Sequence, residues 1–219
     1  LARRIMPWAS RTRFVELVLN GNYQGIYIVV EKIKRDNNRV DISKLEPEDI
    51  AGDDLTGGYI LKLDKTSGSP AEGWQSPYGA PFSPYYQIEY PKLEDITPEQ
   101  SDYIRNWVTD FEATMVSPDY DDPVTGYAKY LDVASFVDFA IINEITKNVD
   151  GYRLSSYLYK DKDSENPLLR AGPVWDFNIA LGNANYCGGD LYYGWAKDFN
   201  NQCPSDFWGI PYWWNRLWE

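Results

Sequence analysis

The chain has 219 residues and contains no histidine. Without an imidazole, the Ser-His-Asp and Cys-His nucleophile mechanisms, histidine acid–base catalysis and most zinc sites are excluded. No apolar run approaches the roughly 18 to 20 residues that a membrane-spanning helix needs. Any catalysis by this chain therefore rests on carboxylates, lysine, tyrosine or a bound metal ion.

Basic residues are scarce as well, since 21 Lys and Arg stand against 33 Asp and Glu for a net charge of −12. Nucleic acids and anionic membranes both attract a basic face, so this balance argues against either as the partner. A nucleotide remains compatible with it, because its phosphates need only a local cation together with Mg²⁺.

Cysteine occurs twice, as Cys187 and Cys203, in a segment rich in Gly, Asn and Tyr. A disulfide between them would close a loop of about 15 residues, a constraint worth roughly 3 kcal/mol in chain-entropy terms. We expect this disulfide, with two free thiols as the alternative. Its formation would indicate an oxidising compartment, and hence an extracellular or cell-surface protein.

The sequence begins abruptly with LARRIMPWASRTRF and ends as abruptly with PYWWNRLWE. We therefore expect the domain to have flanking segments that this sequence does not contain. The absence of a targeting signal from this sequence therefore does not indicate where the protein is located.

Residues 12–31 show the clearest strand pattern, with apolar residues alternating on both sides of an Asn20-Gly21 turn. This pattern predicts a β-hairpin. Gly25 in the second strand either permits a bulge or lets the backbone approach a ligand, and Glu31 ends that strand.

Residues 57–65, GGYILKLDK, predict another strand, in which Lys62 lies on the face opposite Leu61 and Leu63. A lysine in this position is either solvated or directed into a cleft, where it contacts phosphate oxygens and is held by a carboxylate. Residues 66–91 are rich in Ser, Gly, Pro and aromatics, which indicates a surface excursion with a short strand at 86–90.

Two helices follow. Thr97, Pro98 and Gln100 form the sequence pattern of a capping box that starts the first helix. Asp132 is a favourable N-cap for the second. The body of the second helix, VASFVDFAIINEI, is almost continuously apolar, which predicts a helix buried in the centre of a lobe.

The second helix leads directly to a polar loop with Asp150, after which RLSSYLYK and LLRAGPVWDF predict a hairpin ending at Asp176. Such a hairpin brings the two carboxylates back to one edge of a sheet. One carboxylate can then orient a hydroxyl while the other holds Mg²⁺, and Lys62 from the earlier sheet steadies the phosphates. This combination suits metal-dependent phosphoryl transfer.

These same segments resemble the CotH family of spore-coat and secreted atypical protein kinases over most of residues 3–183. The most specific combination is N-G-x-Y-x-G-x-Y-x-x-x-E at 20–31 with W-D-x-(D/N) at 175–178. The resemblance implies an α+β, atypical protein-kinase-like fold in a single domain, residues 1–219. In it an antiparallel β-sheet lobe (1–95) is joined to a helical lobe (96–219). It also implies the use of ATP and Mg²⁺ (or Mn²⁺) to phosphorylate Ser or Thr of exported proteins.

By the same resemblance, Asp150 is the catalytic-loop aspartate and Asp176 the metal-binding aspartate. Lys62 is the candidate for the phosphate-contacting lysine. Glu31 is the candidate carboxylate of the first motif, with Glu112 as a competing partner for Lys62. Trp175 either packs on the adenine or belongs to the core.

The sequence departs from the family pattern at two expected metal ligands. Ser155 stands where many relatives have Asn five residues after the catalytic aspartate, and Asn178 replaces the second carboxylate of W-D-x-D. A hydroxyl and an amide are weaker Mg²⁺ ligands than carboxylates. An altered metal site in an inactive, pseudokinase-like protein is therefore an alternative.

Two further alternatives remain open. With 9 Trp and 18 Tyr, the chain is also compatible with an extracellular module that binds polysaccharide or protein, if the Trp208–Trp218 region forms an exposed aromatic row. A glycosidase with paired carboxylates needs no histidine, but requires those groups about 5 to 9 Å apart with no lysine nearby.

Overall fold

The computed structural model describes residues 1–66 and 73–219, and residues 67–72 of the predicted surface excursion lie outside this part. The fold is mixed α/β, with antiparallel sheets and several helices, as predicted. The strands are β1 (Thr12–Leu19), β2 (Asn22–Val30), β3 (Tyr59–Leu63), β4 (Gly73–Gln75), β5 (Tyr85–Tyr90), β6 (Ser156–Lys160) and β7 (Arg170–Ala171). The helices are α1 (Gly52–Leu55), α2 (Pro98–Val116), α3 (Val133–Thr146), α4 (Phe199–Gln202) and α5 (Tyr212–Leu217).

The first sheet is the two-stranded antiparallel hairpin β1–β2 predicted from the sequence. Asn20 and Gly21 turn the chain with φ values of 50° and 80°. Gly25 adopts φ 108° where the register shifts between Leu17 and Val18, so the bulge expected at this glycine is confirmed. Both faces of the hairpin are largely exposed.

The second sheet has five antiparallel strands in the order β4-β5-β3-β6-β7, with β3 at its centre. Leu61 and Leu63 of β3 pack in the main core with α2 and α3, whereas Ile60 packs against Ile33 and Val40 on the other face. Because side chains alternate along a strand, Lys62 shares the face of Ile60. The alternation predicted for β3 is confirmed.

The starts of both long helices follow their sequence signals. Thr97 and Gln100 make the reciprocal bonds of a capping box at α2, and the Asp132 carboxylate accepts from the Ser135 amide at the start of α3.

The prediction that α3 is buried in the centre of a lobe holds for one face of the helix only. One face, with Phe139 and Ile142, lies in the core, while the opposite face is exposed and apolar. Its exposed residues follow a spacing of four: Val133, Val137, Ile141 and Ile145. The core elements contact α3 from one side only, so its second apolar face has no cover among the described residues.

The hairpin that leads to Asp176 is shorter than predicted. β6 and β7 pair only at Leu158–Ala171 and Tyr159–Arg170. Pro173 then ends the ladder, since it has no amide hydrogen to donate. Ser155 therefore lies directly before β6 and Asp176 lies five residues after β7, so neither is within a strand.

The carboxyl-terminal part is irregular, as expected, and the predicted disulfide between Cys187 and Cys203 is present. Trp213 and Trp214 of α5 are buried against aromatic residues of α3. None of the helices in residues 1–66 and 73–219 combines the length and the apolar character that a bilayer crossing demands.

Candidate functional site

The turn that carries Asp150 is held in place by the buried side-chain amides of Asn143 and Asn148. Lys147 adopts φ 45° and ends α3, and the buried Asn148 side chain then donates to Asn143 Oδ1 at 3.2 Å. A Cβ atom at Gly151 would lie 2.4 Å from that same oxygen, so only glycine fits there. The loop therefore holds Asp150 at the end of a buried helix, as the sequence suggested.

Asp150 is held through one carboxylate oxygen. Its Oδ1 accepts from Arg153 Nη2 at 2.6 Å and from the Tyr186 hydroxyl at 3.0 Å. Among the described residues, Oδ2 has no hydrogen-bond donor. The side chain keeps 22% of its surface exposed, so this second oxygen is available to a ligand.

Arg153 is itself almost completely buried, with 2% of its side chain exposed. Its Nε donates to the Val149 carbonyl at 2.9 Å and its Nη1 to the Trp208 carbonyl at 2.7 Å. The guanidinium also lies 3.8 Å from the centre of the Phe199 ring. These bonds satisfy the buried cation and fix its position under Asp150.

Asp176 and Ser155 face each other across the ends of the short hairpin. The Ser155 hydroxyl lies 3.4 Å from Asp176 Oδ2, at the weak limit of a hydrogen bond. Both residues have positive φ, 47° for Ser155 and 61° for Asp176. Such backbone conformations are uncommon outside glycine and concentrate at functional sites.

Asn178 follows two residues later and is exposed. Its carbonyl accepts from Asn183 Nδ2 at 2.6 Å, which shapes the loop after Asp176.

Lys62 lies on the same sheet face as Tyr157, its direct cross-strand neighbour on β6. Its Nζ is 3.7 Å from Asp64 Oδ2. Burial raises the pKa of Tyr157, and the negative charges of Glu89, Asp64 and Asp176 raise it further. Ser155, whose hydroxyl contacts Asp176, lies two residues before Tyr157, so Lys62 and Asp176 lie in one region of the molecule.

Trp175 forms a wall of this region. It is partly buried against the cluster that contains Ile60, Tyr157 and Tyr159.

Glu31 lies elsewhere, at the base of the β1–β2 hairpin. Its carboxylate accepts from the Arg11 amide at 3.0 Å and from the Arg11 guanidinium. These hydrogen bonds lower the pKa of Glu31 to about 2. Among the described residues, Glu31 makes no ion pair with Lys62, and its predicted role toward a nucleotide stays a prediction.

Glu112 lies beneath the opposite face of the sheet. It is fully buried and accepts from Ser76 at 2.7 Å and from Tyr86 at 3.1 Å. Tyr86 pairs with Leu63, so it faces the helices rather than Lys62. The observed carboxylate beside Lys62 is Asp64, which sequence reasoning did not single out.

A cavity of about 250 Å³ lies between the end of β3 and the carboxyl-terminal segment. Asp64 lines it on one side, and Arg153 and Trp208 line it on the other. Residues adjacent to Lys62 and residues that hold Asp150 therefore face one cavity.

The donors near Asp176 determine what kind of metal site is possible. No group of three or more His, Cys, Asp or Glu side chains suited to a metal occurs in residues 1–66 and 73–219. Asp176, Ser155 and Asn178 instead offer one carboxylate, one hydroxyl and one amide, all hard oxygen donors. Mg²⁺ commonly takes one or two carboxylates and completes its shell with water and phosphate oxygens. The donor set fits a Mg²⁺ ion that arrives with phosphates.

Sequence reasoning missed two residues that define the Asp150 site, Arg153 and Tyr186. Arg153 follows Asp150 by three residues, a spacing that allows contact within a helical turn. Tyr186 carries no comparable signal, because it lies 36 residues away and reaches Asp150 only through tertiary folding.

The structure therefore defines a mixed α/β protein with two acidic groups, Asp150 and Asp176, placed at the ends of one turn-and-hairpin unit. The chain belongs to the CotH kinase protein family, whose profile matches residues 1–219. The resemblance noted in the sequence is thereby confirmed over the whole chain. No curated protein matches it.

Proposed function

We propose that this protein is an exported kinase that transfers phosphate from ATP to Ser or Thr hydroxyls of exported proteins. Its family is kinase-like, which suggests nucleotide and divalent-metal use in general. The observation that supports the proposal most is that Lys62 pairs across the strands with Tyr157, while Ser155, two residues before that tyrosine, contacts Asp176. A cation and a metal-binding carboxylate in one region suit the phosphates of a nucleotide.

Each side chain of the site has its own role in this reaction. Lys62 contacts phosphate oxygens, and Asp64 holds its ammonium group in place. Asp176, Ser155 and Asn178 would hold Mg²⁺ or Mn²⁺, which when bound neutralises phosphate charge. Asp150 orients the substrate hydroxyl through Oδ2 and accepts its proton, while Oδ1 stays bonded to the protein.

The disulfide between Cys187 and Cys203 supports export, because such bonds persist in oxidising compartments. An exported, Ser- or Thr-containing protein is accordingly the proposed partner.

Two alternatives lose support. Trp213 and Trp214 lie in the core, so the exposed aromatic row required of a polysaccharide-binding module is interrupted at its centre. A glycosidase requires paired carboxylates with no lysine nearby, whereas Lys62 lies across from the strand that begins next to Ser155, the residue in contact with Asp176. The pseudokinase alternative depends on whether Ser155 and Asn178 still allow metal binding and phosphate transfer, which the following experiment measures.

The test is phosphate incorporation from γ-labelled ATP with Mg²⁺ or Mn²⁺, into the protein itself and into casein as a general acceptor. We expect transfer by the wild type, and a loss of about 10² to 10⁴ in rate for Asp150→Asn and for Asp176→Asn. The exposed Asp190→Asn is the matched control and should transfer normally. All variants should keep the wild-type melting temperature.

A wild type that binds Mg²⁺–ATP without transferring phosphate would identify the protein as a pseudokinase. Transfer that survives both substitutions would show that these aspartates do not form the active site.

A further inference from the structure

The Tyr186 hydroxyl is the second donor to Asp150 Oδ1, beside Arg153. In contrast to the buried Arg153, Tyr186 has 38% of its surface exposed. Besides Asp150, its hydroxyl meets only Arg153 Nη2, at 3.5 Å, among the described hydrogen bonds. The polar contacts of the Tyr186 hydroxyl are therefore confined to Asp150 and Arg153 among the described residues.

Burial raises the pKa of Tyr186 to about 12, and the charge of Asp150 contributes in the same direction. The hydroxyl consequently remains protonated and keeps donating throughout the physiological pH range. A fixed donor on Oδ1 limits rotation of the carboxylate, and Oδ2 has no donor among the described hydrogen bonds.

The disulfide connects this tyrosine to the other donor. Cys187 follows Tyr186 directly and is bonded to Cys203. The Cys203 amide in turn donates to the carbonyl of Phe199 at 2.8 Å, and the Phe199 ring lies under the Arg153 guanidinium. One covalent link thus joins the two segments that position the two donors of Asp150.

Other contacts hold the remainder of this loop to the end of α3. Lys147 Nζ donates to the Leu191 carbonyl at 2.8 Å, and Glu144 accepts from the amides of Ala196 and Lys197, both at 2.8 Å. These contacts lie beyond Cys187, and on the other side the Leu181 amide donates to the Thr146 carbonyl at 2.7 Å; the disulfide is the attachment next to Tyr186 itself.

We propose that Tyr186 is a positioning residue for Asp150 and that the Cys187–Cys203 disulfide keeps it in place. The inference rests on the proposed function, in which Asp150 orients the substrate hydroxyl. Reduction by a dithiol would convert the bond to two cysteine thiols, with the reagent oxidised to its own disulfide, and would release the segment that carries Tyr186.

The first experiment compares Tyr186→Phe with wild type. Loss of one hydrogen bond to a charged group should lower kcat about ten- to a hundredfold, with KM for ATP unchanged because Tyr186 does not face the Lys62 region. Tyr192→Phe, on the same loop and 98% exposed, is the matched control.

A second readout does not depend on turnover. The carbon chemical shift of the Asp150 carboxyl, measured by NMR at neutral pH, should change in Tyr186→Phe, and also in the Cys187→Ser/Cys203→Ser double variant, because a hydrogen bond to Oδ1 is lost. The charged groups around it, Arg153 and the Asp206 carboxylate 3.6 Å from Arg153, stay in place in both variants. The same change should follow treatment of the wild type with dithiothreitol.

The outcomes separate this inference from the proposed function. If Asp150→Asn abolishes transfer while Tyr186→Phe keeps the wild-type kcat and carboxyl chemical shift, the positioning role is wrong and the kinase proposal stands. If wild type transfers no phosphate but the chemical shift changes as expected, the kinase proposal fails and Tyr186 still positions Asp150. A fall in kcat with an unchanged carboxyl chemical shift would overturn the inference.

Discussion

At the scale of single residues, Glu112 is a carboxyl group placed where water cannot reach it. Burial raises its pKa to about 7, although the Ser76 and Tyr86 hydroxyls that donate to it act in the opposite direction. Tyr86 also accepts from the indole of Trp213 at 3.0 Å, so this carboxyl joins β5 and α5 to α2. Its protonation state is therefore coupled to the stability of the core.

Glu112 predicts a specific dependence of stability on pH. Its pKa is higher in the folded than in the unfolded protein, so the folded state binds the proton more tightly and is favoured at low pH. This contribution is complete below about pH 4.5 and is lost as the pH rises through 7, by roughly 3 kcal/mol in total. Urea unfolding of wild type and Glu112→Gln between pH 5 and 8 measures it, and the variant should show a flatter dependence. Parallel curves would contradict the assignment.

Residue-scale predictions from the sequence succeeded where the information was local. The alternation in GGYILKLDK placed Lys62 correctly on the face opposite Leu61 and Leu63, because side-chain direction in a strand follows from spacing alone. Asp64 beside Lys62 was accessible in the same way, because the two residues are two positions apart and share a face of the strand. Tyr186 beside Asp150 was not, because it belongs to a distant chain segment.

At the scale of elements, the apolar sequence of α3 does not indicate which face of the helix is buried. Ile142 is 3% exposed and Ile145 is 64% exposed, although only three residues separate them. A helix that is apolar on every side gives no periodic signal, so the sequence cannot indicate which face the core will cover.

The two isoleucines provide a matched test of that arrangement. Ile142→Ala should lower the free energy of unfolding by about 2 to 5 kcal/mol, because it removes buried methyl groups and leaves a cavity. Ile145→Ala should change it by less than about 0.5 kcal/mol, since that side chain is mainly in solvent. Chemical denaturation of both variants measures these two changes in the free energy of unfolding. Equal losses would show that the outer face of α3 is covered in solution.

Turn chemistry was the most reliable guide to the boundaries of elements. Asn20-Gly21, the Thr97 capping box and the Asp132 N-cap each act within a few residues, and each is observed. β7 ended sooner than predicted because Pro173 removes a ladder donor. That proline was visible in the sequence, and its effect on pairing is local as well.

At the scale of the whole molecule, charge is distributed unevenly along the chain. The first 39 residues contain 8 basic and 3 acidic residues, a net charge of +5, whereas the remaining 180 carry −17. Ile33, from the basic part, packs on the Lys62 face of the central sheet. The positive part of an acidic protein therefore adjoins the region proposed for phosphates, which favours the approach of a polyanion.

The single-domain assignment of residues 1–219 and the division at residue 95 stay predictions. The family match supports the general assignment, and the arrangement of Lys62, Asp176 and Asp150 carries the specific claim. According to that claim, one nucleotide and its metal ion contact both the strand that carries Lys62 and the loop that carries Asp176.

Calorimetric titration with a non-hydrolysable ATP analogue tests this most directly. Wild type should bind the analogue only with Mg²⁺ or Mn²⁺, and Lys62→Met and Asp176→Asn should each weaken binding about ten- to a hundredfold. Lys65→Met, a neighbouring exposed lysine, should bind like wild type. Absence of metal-dependent binding, or binding that both substitutions leave unchanged, would contradict the account.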